Sequence, residues 1–412
     1  MNLKALNRRQ FLRASGAVGC CAAASPLVAP VALASAPWDQ RLVVIVLRGG
    51  MDGLDVLRPH GDPDLVRLRQ RWLAPDAQAG MRDLDGFFGL HPALDGLWSL
   101  WQAGELGFAH AVSTPYRDKR SHFDGQDLLE AGASHRPNGT VPRDGWLNRM
   151  LQQVPGLQAE TAFSIGQENM LLLRGAADVS NWAPDAGFRL SSQGQRLLQA
   201  VYEEDDAFHE ALEEAIALMS EIEADEAAEA PDDNMMAMSE MMAASKNNRR
   251  NLDMVEFLVG RLRRETRIAA FSIAGWDTHR NQTMLLSRAL GQLSETIMAL
   301  RVGLGPLWSK TAVVAMTEFG RTARENGTRG TDHGTGGAML FAGGAIRGGR
   351  VHGSWPGLGE DALYAGRDLM PTADVRSYAA AVMREHLGFS RSVLEQTVFP
   401  GLDMGEIRGL IA

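Results

Sequence analysis

QRLVVIVLRGGMD, residues 40–52, reads as a buried β-strand that runs into a glycine-rich turn. Leu42 to Leu47 is apolar without alternation, the mark of a strand covered on both faces, as in a parallel sheet. The Gly-Gly turn lets a ligand approach the backbone closely. It carries Asp52, either a ligand for a metal or the acceptor of an Asx turn. Outward from this stretch the pattern recurs. Arg267–Ala274 (RIAAFSIA) and Thr311–Met316 (TAVVAM) read as strands, separated by a helix over Asn281–Leu304. Glu105–Val112 and Ala338–Phe341 add two more, and Leu90–Gln102 has helical spacing. Ser121 opens a helix as its N-cap and Gly132 stops it. Strand and helix in alternation predict an α/β fold, a mostly parallel sheet with helices on both faces.

Three polar islands follow such elements: Gly275-Trp276-Asp277-Thr278-His279, Thr317-Glu318-Phe319-Gly320-Arg321 and Thr331-Asp332-His333-Gly334. Open α/β sheets put their chemistry at the carboxyl ends of strands. Carboxylates and imidazoles gathered there are the donor set of a divalent metal, so Asp52, Asp277, His279, Glu318, Asp332 and His333 are candidate ligands. Oxygen and imidazole donors suit Zn, Mn, Mg or Ca, as one ion or two. A nucleophile is best placed at a helix N-terminus, which Ser121 occupies with His122 beside it. Ser113 and Thr114, in the stretch Ser113-Thr114-Pro115-Tyr116-Arg117, are rivals. Arg117, Lys119 and Arg120 form either an anion-binding turn or a solvated basic one. Arg321 either clamps the oxygens of a bound ester or pairs with Glu318.

The N-terminus predicts a targeting segment. Arg8-Arg9 precedes an apolar stretch from Ala14 to Val31, and Ala32-Leu33-Ala34 has the form of a cleavage site. Residues 1–34 thus read as a twin-arginine signal peptide, with the twin-arginine translocase as export partner and a periplasmic or secreted destination. A lipobox at Cys20 is the alternative, but no Leu stands three residues before it. Both cysteines, Cys20 and Cys21, fall in this leader, which excludes thiolate chemistry from the mature chain. The leader holds four positive and no negative charges, so the formal charge of −9 becomes −13 once it is removed. That acidity argues against a nucleic-acid partner. No stretch of the mature chain is apolar for long enough to span a bilayer.

Residues 193–265 read as a helical insertion with an acidic, low-complexity tip at 224–248, rich in Met. Thioethers suit Cu(I), but no His accompanies them. Redox work has little support either, because no G-x-G-x-x-G follows the first strand.

In their order these motifs resemble the bacterial family catalogued as domain of unknown function 1501: a twin-arginine leader, R-G-G-x-D at 48–52, S-H-F-D at 121–124, G-W-D-T-H at 275–279, T-E-F-G-R at 317–321 and D-H-G at 332–334. That family is similar to the alkaline phosphatase and sulfatase superfamily. The resemblance implies one alkaline-phosphatase-like domain over 35–412, a three-layer sandwich. It implies a metal-dependent hydrolase of small phosphate or sulfate esters with a Ser nucleophile. Asp277, His279 and His333 would hold one ion. Asp52 and Glu318 would hold a second or orient the nucleophile. The chain departs at Phe319, where the superfamily has a histidine, so either the second metal is absent or His122 or Asp332 substitutes. A metal-bound protein of assembly or binding, without catalysis, is the alternative.

Overall fold

The computed structural model describes residues 38–70, 79–117, 120–134, 143–154, 161–165, 170–182 and 253–412. The leader, the Met-rich tip and Lys119 lie outside the described residues. Nine strands form one sheet: β1 (Arg41–Leu47), β2 (Leu106–Ser113), β3 (Ala162–Ile165), β4 (Ser180–Trp182), β5 (Ile268–Ile273), β6 (Thr311–Met316), β7 (Gly337–Ala342), β8 (Val351–His352) and β9 (Ala373–Asp374). Their order is β8-β2-β7-β6-β1-β5-β3-β4, with β9 also on β2. β1 sits between β5 and β6 and is parallel to both. Only β7 runs antiparallel to its neighbours, β2 and β6. An antiparallel partner needs no crossover helix, and the polar, Gly-rich loop 317–336 between β6 and β7 could not supply one.

The helices that position the site are α1 (Gly53–Val56), α2 (His122–Ala131), α3 (Trp146–Leu151), α4 (Gln282–Leu304) and α5 (Val375–Leu387). Val43, Ile45 and Leu47 of β1 pack with Leu286, Leu290 and Ile297 of α4, and with Leu258 and Leu262 in the helical residues 253–262. Leu42, Val44 and Val46 point the other way, onto Trp146 and Met150 of α3 and onto Tyr378 and Val382 of α5. Each face of β1 is therefore covered, which is why its sequence does not alternate. Burying each such aliphatic side chain is worth roughly 1.5–3 kcal/mol. No described helix is long and apolar enough to cross a membrane.

The mostly parallel α/β sheet expected from the sequence is present. Two details differ. Residues 90–102 do not form one helix: Pro92 opens a 3-10 segment, Pro92–Leu97, before the α-helical turn Trp98–Gln102. Strands β3 and β4 lie where the sequence, rich in turn residues, shows no period.

Candidate metal centre

Leu47 stands opposite Ile273, and Val46 opposite Met316, so β1, β5 and β6 end at one edge of the sheet. The loops 48–52, 274–279 and 317–321 leave that edge side by side. They touch so closely that only glycine fits the first one. A Cβ on Gly49, at φ +128°, would lie 2.5 Å from the Asp277 nitrogen, and one on Gly50, at φ +69°, 2.7 Å from the Phe319 ring. Arg321, fully buried, binds the loops together. It donates to the carbonyls of Gly50 (2.6 Å), Thr331 (3.1 Å), Trp276 (3.0 Å) and Gly49, and to Asp277 Oδ1 at 2.6 Å.

Three imidazoles surround Asp277. His122 Nε2 lies 3.4 Å from Oδ2, while His279 Nε2 and His333 Nε2 lie 3.1 and 3.3 Å from Oδ1. Each ring is held from behind through Nδ1. His122 donates to Glu318 Oε1 (2.8 Å), His333 to the Arg120 carbonyl (2.8 Å) and His279 to Asp332 Oδ1 (3.3 Å). With Nδ1 as the donating nitrogen of each ring, Nε2 is the atom turned toward the centre. His279 Nε2 and His333 Nε2 are 2.9 Å apart, a separation at which a pair of imidazoles can share a proton or a cation. His122 Nε2 is buried and makes no hydrogen bond. Phe319 lies beneath, its ring 5.0 Å from that of His122 and 5.1 Å from that of His333.

Charge in the centre is strongly biased. Burial pushes the His122 ring toward neutrality, but Asp277 and Glu318 outweigh it and raise its pKa to about 9. Burial likewise opposes ionisation of Asp277, yet His122, His333 and Arg321 hold its carboxyl far below the usual carboxylate range. Glu318 is kept ionised against its burial by His122 and Gln126. Among the described residues, His122, Asp277 and His333 form the one group of three or more His or acidic side chains close enough to share an ion, with His279 against the same carboxylate.

The donor set fits a cation. A tetrahedral ion with roughly 2.0–2.1 Å arms separates its ligand atoms by about 3.3 Å; the three Nε2 atoms lie 3.1 to 3.4 Å from an Asp277 oxygen, His279 and His333 Nε2 lie 2.9 Å from each other, and His122, Asp277 and His333 have ligand atoms all within 4.8 Å of one another. Imidazoles tied through their second nitrogen to a carboxylate or carbonyl are the usual support of a metal ligand.

The other expected residues are placed differently. Asp52 is not part of this group. It caps α1 through Leu54 N (3.2 Å) and is buried against Arg69 at 2.7 and 3.1 Å, where Gln282 Nε2 also reaches it at 2.7 Å. A guanidinium fills the position an ion would take. Glu318 is also saturated: besides His122, it accepts from Gly49 N (2.9 Å), Gln126 Nε2 (3.0 Å) and Thr317 Oγ1 (2.9 Å). It stands behind His122, with both of its oxygens engaged. Asp332 stands behind His279. Arg321 makes no pair with Glu318, and its donors are turned into the loops.

Ser121 caps α2 as expected, its Oγ accepting from Asp124 N at 3.4 Å. It lies between Arg120, whose carbonyl holds His333, and His122. Ser113 and Thr114 are buried, with Ser113 donating to the Thr114 carbonyl and Thr114 to the Glu318 carbonyl. Arg117 folds back on Ser113 Oγ and the Tyr116 carbonyl. The sequence reading missed Arg69, Gln126 and Gln282, none of which belongs to a motif.

The model of the family DUF1501, described as a protein of unknown function, matches residues 101–395, and the chain belongs to that family. No curated protein matches the sequence. Similar solved structures include the lipoteichoic acid synthase LtaP from Listeria monocytogenes, with a TM-score of 0.39, 8% identity, and coverage of 89% of this chain and 75% of that one. They also include the C-terminal periplasmic domain of EcEptC from Escherichia coli. Without stated ligand its TM-score is 0.36 at 9% identity, covering 88% and 86%. In complex with Zn the values are 0.32 and 9%, covering 75% and 76%. At this level of similarity neither neighbour carries an activity or a ligand over to this chain.

Proposed function

We propose that the chain is an exported, metal-dependent hydrolase-like protein acting on phosphate or sulfate esters. One divalent ion is held by His122, His279, His333 and Asp277. The observation that carries this reading is the convergence of three Nε2 atoms on one carboxylate, each ring fixed through Nδ1. A donor set of three nitrogens and one oxygen favours Zn or another imidazole-seeking ion over Mg or Ca, which prefer oxygen. Such an ion supplies Lewis-acid polarisation of an ester oxygen. His122 takes the place of the histidine that Phe319 lacks. Ser121 is the proposed nucleophile. Its Oγ accepts from Asp124 N, and no described acceptor takes its proton. Residues 1–34 direct export through the twin-arginine translocase.

Metal analysis of the purified mature chain, with turnover of p-nitrophenyl phosphate and sulfate, tests the reading. One bound ion per chain and turnover abolished by Ser121→Ala support it. Absence of any bound metal sinks it. Turnover that survives Ser121→Ala and is lost in Ser113→Ala or Thr114→Ala moves the nucleophile.

A second reading, a metal-bound binding protein without catalysis, is favoured by Arg321. Its guanidinium faces four loop carbonyls, so it cannot also clamp the oxygens of a substrate. One ion per chain with no ester turned over selects this reading.

A further inference from the structure

We infer that Gln282 is a positioning residue that sets the distance between the two loops carrying Asp277, His279 and His333. The inference rests on the metal-site reading above. Gln282 is the first residue of α4 and is buried. It touches none of the proposed ligands, yet its amide meets both of their loops. Its Oε1 accepts from Thr278 Oγ1 at 3.0 Å and from Thr331 Oγ1 at 2.7 Å. Thr278 is the residue between Asp277 and His279, and Thr331 precedes Asp332 and His333. Its Nε2 donates to Asp52 Oδ2 at 2.7 Å and Asp55 Oδ2 at 3.0 Å.

All four hydrogen-bonding positions of the amide are thus in use, and its orientation is forced. Asp52 is held ionised by Arg69 and by Gln282 itself, against the cost of its burial. An ionised carboxylate only accepts, so the edge facing Asp52 must be the NH₂ and the edge facing the two hydroxyls the carbonyl. The carboxylates are themselves anchored, Asp52 to Arg69 and Asp55 to Arg58 at 2.9 Å. One side chain therefore refers two loops to a single buried ionic base.

The consequence lies above this base. His279 Nε2 and His333 Nε2 face each other at 2.9 Å, an arrangement that neutral imidazoles resist without a shared cation or proton. Something must hold their loops together before an ion arrives. Arg321 does so through carbonyls and Gln282 through hydroxyls, so the ligands are prearranged for the ion. Loss of a group that orients metal ligands in this way typically costs 10–100-fold in affinity.

The test uses calorimetric titration of Zn²⁺ into the metal-free chain. Replacing both hydroxyls in Thr278→Val/Thr331→Val keeps the shape and removes the two bonds to Oε1. We expect affinity to fall about 10–100-fold while one ion still binds per chain. Thr278→Ser/Thr331→Ser keeps the hydroxyls and is expected to bind as the parent does. A purely structural role for these side chains predicts equal effects on melting temperature and no rescue by serine. Gln282→Glu sets a third carboxylate against Asp52 and Asp55 and should be the most damaging change, in folding as well as binding. Parental affinity in the valine variant overturns the inference. If the parent chain itself binds no metal, the metal-site reading falls. The clamp is then judged on metal-free crystal structures, where an unchanged separation of His279 and His333 in the valine variant overturns it.

Discussion

Glu318 Oε1 accepts the Nδ1 proton of His122 at 2.8 Å, although the two residues leave different elements and are 196 positions apart. The carboxylate is completely buried and the imidazole partly open, so the pair points His122 Nε2 outward to Asp277. A glutamate expected to bind metal instead aims the histidine that does so in the proposed site.

Glu318→Gln keeps the shape and the oxygen that accepts three donors, and it removes the charge. Zn²⁺ affinity is expected to fall about 10–100-fold with little change in fold. Calorimetric titration measures it, and an unchanged affinity would mean that His122 is aimed by packing alone.

Metal removal gives a second check. A saturated ion raises stability by about 2.7 kcal/mol when free metal is 100-fold above its dissociation constant. A chelator should therefore lower the melting temperature of the parent chain. Asp277→Asn and His333→Ala should melt identically with and without it. A chelator effect that persists in both variants would place the ion elsewhere.

Asp52 and Arg69 form a buried pair beneath the centre, with side chains 1% and 0% exposed. Arg69→Met strands the carboxylate and should cost about 3–5 kcal/mol in urea unfolding. Asp52→Asn in the same chain should recover part of that loss. A loss below about 1 kcal/mol in the single variant would show that the pair relaxes into water.

His91 and His110 predict the acid limb of stability. Burial lowers both from 6.5 to about 4. The unfolded chain then binds more protons between these values, so stability is full above about 6.5 and is lost as pH falls toward 4. Each ring accounts for at most about 3 kcal/mol. His110 accepts from Ala111 N through Nδ1 at 2.8 Å, a bond that its protonation destroys. Denaturant titrations of the metal-free chain at pH 7, 5.5 and 4 should show the decline. The decline should be shallower in His110→Gln, and an equal slope in that variant would remove His110 from the account.

Much of the architecture follows from local pattern. The unbroken apolar run of β1 requires cover on both faces, and that cover is found. The runs of β5 and β6 behave alike, so their polar ends could be assigned to one edge of the sheet. Asp277, His279 and His333 were found as candidates because they directly follow such runs or share their loop. Strands β3 and β4 gave no signal, being short and set among turn residues.

The sequence by itself determined the α/β class, the strand ends that hold the candidate residues, and the membership suggested by its motifs. Only the tertiary structure decided which of those residues face each other. Asp52, Glu318 and Arg321 have the same chemical character as the residues of the proposed site, and nothing local distinguishes them. What separates them is their partner. Arg69 neutralises Asp52, His122 and Gln126 fill Glu318, and four carbonyls take the donors of Arg321. A buried charge takes whichever compensating group the fold delivers, because leaving it unpaired costs several kcal/mol. Delivery depends on contacts between residues tens to hundreds of positions apart, which no spacing along the chain records.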